Sequence, residues 1–156
     1  REGAFLAVDD LQHAHELRPL DQRDGQHAAH VVVAVEVDRE RTIDFMGEQA
    51  RVYATPMLVR DIEVTCREFL LGHLDAGEDS VGTRVEIDHI AATLLGMSVT
   101  LNVRVAEVNG RAVSFEVEGR DAVEPIVRGK HSRFVVDVAK TGQRLAAKAE
   151  KARAAG

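Results

Sequence analysis

The sequence predicts an α+β fold in which an antiparallel sheet curls around one long helix. Three observations carry that expectation. The stretch "VYATPMLVRDIEVTCREFLLGHL" (Val52 to Leu74) repeats apolar residues at helical spacing, and segments on both sides of it alternate with a period of two. Asn109-Gly110, between two alternating segments, is a strong hairpin signal.

The elements follow in order. Residues 1–30 hold four of the seven histidines (His13, His15, His27, His30) among scattered charge with no sustained period, and they read as an extension of the chain. His13 and His15 would suit a strand-like metal pair, but no third ligand stands at a recognisable spacing, so no metal is expected. A single domain is expected over residues 31–156, and a chain of 156 residues buries roughly 68–70% of its unfolded surface. In "HVVVAVEVD", Val31, Val33, Val35 and Val37 share one parity, as in a half-buried strand.

Thr55 reads as a helix N-cap with Pro56 at the first helical position. Met57, Leu58, Ile62, Cys66, Phe69 and Leu70 then recur on one broad face, while Arg60, Asp61, Arg67 and Glu68 make a narrow polar stripe. Next comes "VGTRVEIDHIA", where Val81, Thr83, Val85, Ile87, His89 and Ala91 share a face. "MSVTLNVRVAEV" points Val99, Leu101, Val103 and Val105 inward, and Asn109-Gly110 calls for a type I′ turn into "RAVSFEVEGRD". "EPIVRGKHSRFVVD" closes the sheet, and an Ala/Lys/Arg-rich helix ends the chain. Long, regular edge strands need cover, and edge-to-edge pairing into an obligate homodimer provides it; pairing of dimers into tetramers stays open.

Charge and composition narrow the function classes. Residues 1–50 carry eleven acids against five Lys/Arg, and the whole chain has a net charge of −6 with 4% aromatic residues. Such a domain is not expected to bind nucleic acid. The C-terminal "VAKTGQRLAAKAEKARAAG", with five Lys/Arg and one Glu, reads as a solvated helix face. No apolar run approaches the ~20 residues that span a bilayer, so no membrane partner is expected. "REGAFLAVDD" turns acidic too early for a signal peptide, and one cysteine allows no internal disulfide. A cytoplasmic location is the expectation.

Two polar residues face inward. Glu63 lies in the apolar stripe between Val59 and Cys66, and His89 shares parity with Val85 and Ile87. They could satisfy each other as a structural hydrogen bond, or serve acid–base or nucleophilic chemistry. Thr55 stands eight residues before Glu63, about 12 Å along a helix axis, so a third group or a substrate would lie between them. Cys66 reads as a core thiol, and His73 and His131 as solvated.

The blocks "VYATPMLVRDIE", "VGTRVEIDHIAATLLGMSVT", "NGRAVSFEVEGRD" and "RGKHSRFVVD" resemble the fluoroacetyl-CoA thioesterase group of hotdog-fold proteins, from about Val32 to the C-terminal helix. The resemblance implies a hotdog dimer that hydrolyses a small or medium acyl-CoA thioester without a cofactor. It implies a Thr/Glu/His catalytic set at or near the subunit interface, falling on Thr55, Glu63 and His89. It also places the thioester carbonyl at the backbone N–H of Gly82, and a responsive arginine near the pocket at Arg133. The stretch "TIDFMGEQARVYAT" departs from the aromatic lid of the fluoroacetate-specific member, offering only Phe45 and Tyr53, with Met46 and Gln49 where lid aromatics would stand. "LLGM" also replaces a proline-containing turn. A hydratase reading lacks the Asp/His segment it needs. A non-catalytic acyl-CoA-binding hotdog dimer is the alternative, and the intact Thr55/Glu63/His89 set argues against it.

Overall fold

The computed structural model describes residues 4–6 and 29–156. Among these, six strands form one antiparallel sheet: β1 (Ala4–Leu6), β2 (His30–Glu36), β3 (Glu78–His89), β4 (Ser98–Asn109), β5 (Ala112–Arg120) and β6 (Pro125–Asp137). Their spatial order is β1-β2-β4-β5-β6-β3, which leaves β3 as a twelve-residue edge. The helix α1 (Thr55–Leu71) crosses the concave face, and α2 (Val138–Ala155) ends the chain with no buried residue. Of the first thirty residues, Ala4–Leu6 pair with Val31–Val33, while His13, His15 and His27 lie outside the described residues.

The core forms where the two periodicities meet. Leu58, Ile62, Cys66, Phe69 and Leu70 of α1 pack on Val99, Leu101, Val103, Val113, Phe115 and Val117, all at most 5% exposed. Burying each large side chain contributes about 1.5–3 kcal/mol, so this face holds α1 against the sheet.

Three local expectations need correction. The β4–β5 loop is Gly110-Arg111, closed by the Asn109–Ala112 pair. Gly110 has φ +60° and no non-glycine residue among those described has positive φ, so the turn follows the type II′ pattern with glycine first, not type I′. On β3, a register shift between Gly82 and Arg84 leaves Thr83 as a bulge, so the parity read through from Val81 breaks. Ser80 is buried and Val81 is 44% exposed, whereas beyond the bulge Ile87 and His89 are half-buried. On α1, Asp61 of the polar stripe is buried rather than exposed with Arg60, Arg67 and Glu68.

Asp61 ties the chain entering α1 to the helix itself. Arg41 donates to both of its carboxylate oxygens, at 2.8 and 3.1 Å, and the Tyr53 hydroxyl donates to it as well. Burial and the adjacent carboxylate push the Tyr53 phenol well above its usual range, so it stays a donor. The Tyr53 amide reaches the Thr93 carbonyl at 2.8 Å, and the Thr93 hydroxyl reaches Asp121 at 3.0 Å. These bonds fix the start of α1 against the loops that flank it.

Close backbone approach fixes β3 on β6. A Cβ at Gly129 would meet the Glu86 carbonyl oxygen at 2.1 Å and the Ile87 Cα at 2.7 Å, atoms that cannot rotate away. Gly129→Ala is therefore expected to cost about 2–3 kcal/mol. That is a Tm lower by roughly 4–12 °C in a thermal melt. An unchanged Tm would mean that β3 does not lie against β6 at this register.

Candidate active site

The residues singled out in the sequence gather along the line where α1 faces β3, but in two groups. Helix and strand run antiparallel here, so the start of α1 meets the end of β3. At that end the Thr55 hydroxyl lies 2.8 Å from Nδ1 of His89. Thr55 does not cap the helix: the N-cap is Ala54, with no side-chain hydrogen bond, and Thr55 is the first helical residue. Its hydroxyl turns instead across to the strand. The His89 ring also meets Tyr53 edge to face, with centroids 6.3 Å apart at 80°. Burial holds its pKa below the ordinary histidine value, favouring the neutral ring. Its Nε2 is buried and has no hydrogen-bond partner among the described residues.

The second group lies two turns along the helix. Glu63 points at the inward face of β3 where Gly82 leaves room: a Cβ there would fall 2.2 Å from the Glu63 carboxylate. The nearest cation is Arg133, whose Nη1 is 3.9 Å from Glu63 Oε1. Arg133 is only 4% exposed, and its other contacts are neutral. Nε donates to the Ser80 hydroxyl and Nη2 to the Ser80 carbonyl, both at 2.8 Å. Nη1 also meets Nε2 of His131 at 3.2 Å, and Nδ1 of His131 donates to the Arg84 carbonyl at 2.8 Å.

Within this chain, then, Glu63 and His89 do not satisfy each other; Thr55 takes His89, and Arg133 takes Glu63. His131, read from sequence as solvated, is fully buried. Its alternation with Arg133 and Val135 along β6 is the signal that could have found it, since all three point to α1. His73 is half-buried and its ring packs 4.8 Å from that of Phe69. The Cys66 thiol, one turn after Glu63, is pushed up to about 12 by burial and stays protonated at neutral pH.

The strap before α1 holds Phe45 and Met46, which the resemblance sets near a lid. Phe45 is 78% and Met46 54% exposed. Glu48 accepts from both Arg39 and Arg51, which holds its carboxyl down at about 2 and clips the two ends of the strap together. No group of three or more possible metal ligands occurs among the described residues, and no helix there is long and apolar enough to cross a membrane.

Comparison with known proteins bears on this arrangement. Residues 37–139 match the family of the fluoroacetyl-CoA-specific thioesterase FlK. The fluoroacetyl-CoA thioesterase of Streptantibioticus cattleyicolor is 35% identical over 94 residues, 60% of this chain and 68% of that one. Among solved structures, a Thermus thermophilus hypothetical protein of the thioesterase superfamily superposes with a TM-score of 0.76 at 27% identity, covering 88% of this chain and 99% of its own. A crystal structure of the fluoroacetyl-CoA thioesterase FlK superposes with a TM-score of 0.71 at 28% identity, covering 80% and 98%.

The space beside Gly82 gives a test of the site that leaves the core alone. Gly82 is itself exposed, so Gly82→Ala should fold, but its methyl group must push the Glu63 carboxylate aside. Displacement by an ångström or more is expected to lower turnover of this chain's substrate by about 10²-fold, with a Tm close to wild type. Undiminished turnover would place the working carboxylate elsewhere.

Proposed function

The chain belongs to the fluoroacetyl-CoA-specific thioesterase family of hotdog-fold proteins; from that premise we propose that it hydrolyses a small or medium acyl-CoA with Thr55, Glu63 and His89, as a homodimer. Thioester hydrolysis is the family's chemistry, and this chain is an acyl-CoA thioesterase on that ground. The residue roles and the acyl range are the proposal.

The observation that carries it is the Glu63 carboxylate, 42% exposed over a buried guanidinium. A carboxylate in that position keeps its lone pairs available. It attacks the thioester carbonyl to release the CoA thiolate and give a mixed anhydride that water then cleaves, freeing the acid and restoring Glu63, or it takes a proton from an attacking water. Beside it, the Gly82 N–H is the donor assigned to the developing oxyanion. A neutral His89 that accepts from Thr55 at Nδ1 carries its hydrogen on Nε2, where it can donate a hydrogen bond to the departing sulfur; the CoA thiolate leaves as the anion and takes its proton from solvent.

Glu63 and His89 stand at opposite ends of the groove in one chain, and the exposed edge supports a way to join them. Val85 on β3 is 36% exposed on the face turned toward α1, and the strand's outer edge has no partner among the described residues. Antiparallel pairing of two β3 strands about an axis at Glu86, with Val85 opposite Ile87 and the extra residue Thr83 left out of the ladder, would set Gly82 and Glu63 of one protomer beside His89 of the other. The unpartnered His89 Nε2 would then face a carboxylate.

Thiol release followed across acetyl-, fluoroacetyl-, hexanoyl-, phenylacetyl- and benzoyl-CoA tests the activity. Wild type should turn over at least one of them, and Glu63→Gln should lower that rate by about 10²-fold or more while staying folded. Equal rates would remove Glu63 from the chemistry. For the assembly, Val85→Lys places an inward charge on the edge and should yield monomers by light scattering, with turnover lost alongside. A fully active monomer would refute a site shared between protomers.

A further inference from the structure

The buried pair behind the carboxylate does more than fill space. Arg133 has its guanidinium fixed on every nitrogen by neutral groups: Nε and Nη2 by Ser80, Nη1 by His131. Only Nη1 faces Glu63, at 3.9 Å. Nη1 carries two hydrogens, so the one given to His131 decides where the other points. His131 is in turn held by the bulge of β3, because its Nδ1–H donates to the carbonyl of Arg84, the residue just after Thr83. That bond settles the tautomer: with the proton on Nδ1, Nε2 is left as the acceptor that Arg133 needs.

We propose that His131 is a positioning residue, whose neutral imidazole aims the Arg133 guanidinium so that Glu63 is held over Gly82 in its reactive orientation. The proposal rests on the role given to Glu63 above. A buried arginine that served stability alone would be expected to have a carboxylate in direct contact, as Arg41 has in Asp61. Arg133 has none that close. Its charge is instead presented, uncancelled, under a carboxylate left open on its other side. Acid disfavours the arrangement, since protonated His131 would turn a second donor on the Arg133 cation; burial and that same cation keep the ring neutral.

His131 makes two bonds, and two amides separate them. Asn places a donor near the Nδ1 position and keeps the bond to Arg84, but does not reach Arg133. Gln places an acceptor near the Nε2 position and keeps the bond from Arg133. His131→Asn should lower kcat about tenfold with KM within about twofold, and His131→Gln should recover most of that loss. Arg133→Lys, which keeps the charge and drops the fork, completes a cycle. If His131 acts through Arg133, His131→Asn should add little to the loss already caused by Arg133→Lys. Full additivity, or equal kcat for the Asn and Gln variants, would overturn the proposal. If His131→Asn does not fold, a kcat for His131→Gln more than about tenfold below wild type would overturn it as well. Glu63→Gln run alongside separates the two readings. Undiminished turnover there removes the carboxylate's role and this inference with it. Loss there, with wild-type turnover in both His131 variants, removes this inference alone.

Discussion

Side chains on a strand alternate between faces, so a strand with strict alternation could not turn Gly82, Val85, Ile87 and His89 all toward the helix. The extra residue at Thr83 is what allows it. Before the bulge, Ser80 and Gly82 face α1; after it, Val85, Ile87 and His89 do, and Arg84 is left with a carbonyl turned to His131. The Gly82 face and the His89 face are thereby brought into one groove along α1. The carbonyl freed at the irregularity is satisfied by an imidazole that reaches back to Arg133. Without that shift of one residue, either the Glu63 end or the His89 end of the groove would point to solvent.

The second constraint is the entry to α1. A proline at the second helical position restricts the backbone just where the helix begins, and the Asp61 network fixes that point from three directions. Arg41 comes from the segment after β2 and Tyr53 from the residues just before the helix, while Thr93 holds Tyr53 from the far side of β3. Tyr53 then meets His89 edge to face, so the same network that starts the helix also sets the imidazole. Thr55 has no capping duty because Ala54 occupies that position, and its hydroxyl is free for His89.

Much of this was legible in the sequence, and for physical reasons. Helix, strands and hairpin follow from apolar period and turn chemistry, which act locally, and the inward direction of Glu63 follows from its place in the apolar stripe. What stayed hidden depends on tertiary contacts. A bulge has no cue in "SVGTRV" beyond one glycine, so reading a single parity through Val81 gave the wrong face before Thr83 and the right one after it. Thr55 looked like a cap because hydroxyls at helix starts usually serve the backbone, and only the end of β3 shows that its partner is His89. Asp61 falls in the polar stripe of the helical pattern, because the Arg41 that neutralises it inside the fold stands twenty residues away. His131 reads as solvated from sequence, although the alternation of "HSRFV" sets it beside Arg133 and Val135 on the inner face.

Asp61 and Glu63 make the sharpest contrast in the molecule, two carboxylates two residues apart on one helix and on opposite faces of it. Asp61 is 5% exposed and spends both oxygens on a bidentate arginine and a phenol. Such a group is held in place and has little left to offer a substrate. Glu63 is 42% exposed, and its cation stands off at 3.9 Å, buried and held by neutral partners. Arg133 is therefore close enough to attract the carboxylate and too far to consume its lone pairs. Its attachment to Ser80 and His131, rather than to an acid, leaves its charge facing Glu63. The cost of burying that guanidinium is met by three hydrogen-bonding groups on β3 and β6, which are rigid, and not by Glu63. It is this division of labour, with one carboxylate fully engaged and the other deliberately under-bonded, that gives Glu63 its place in the proposed chemistry.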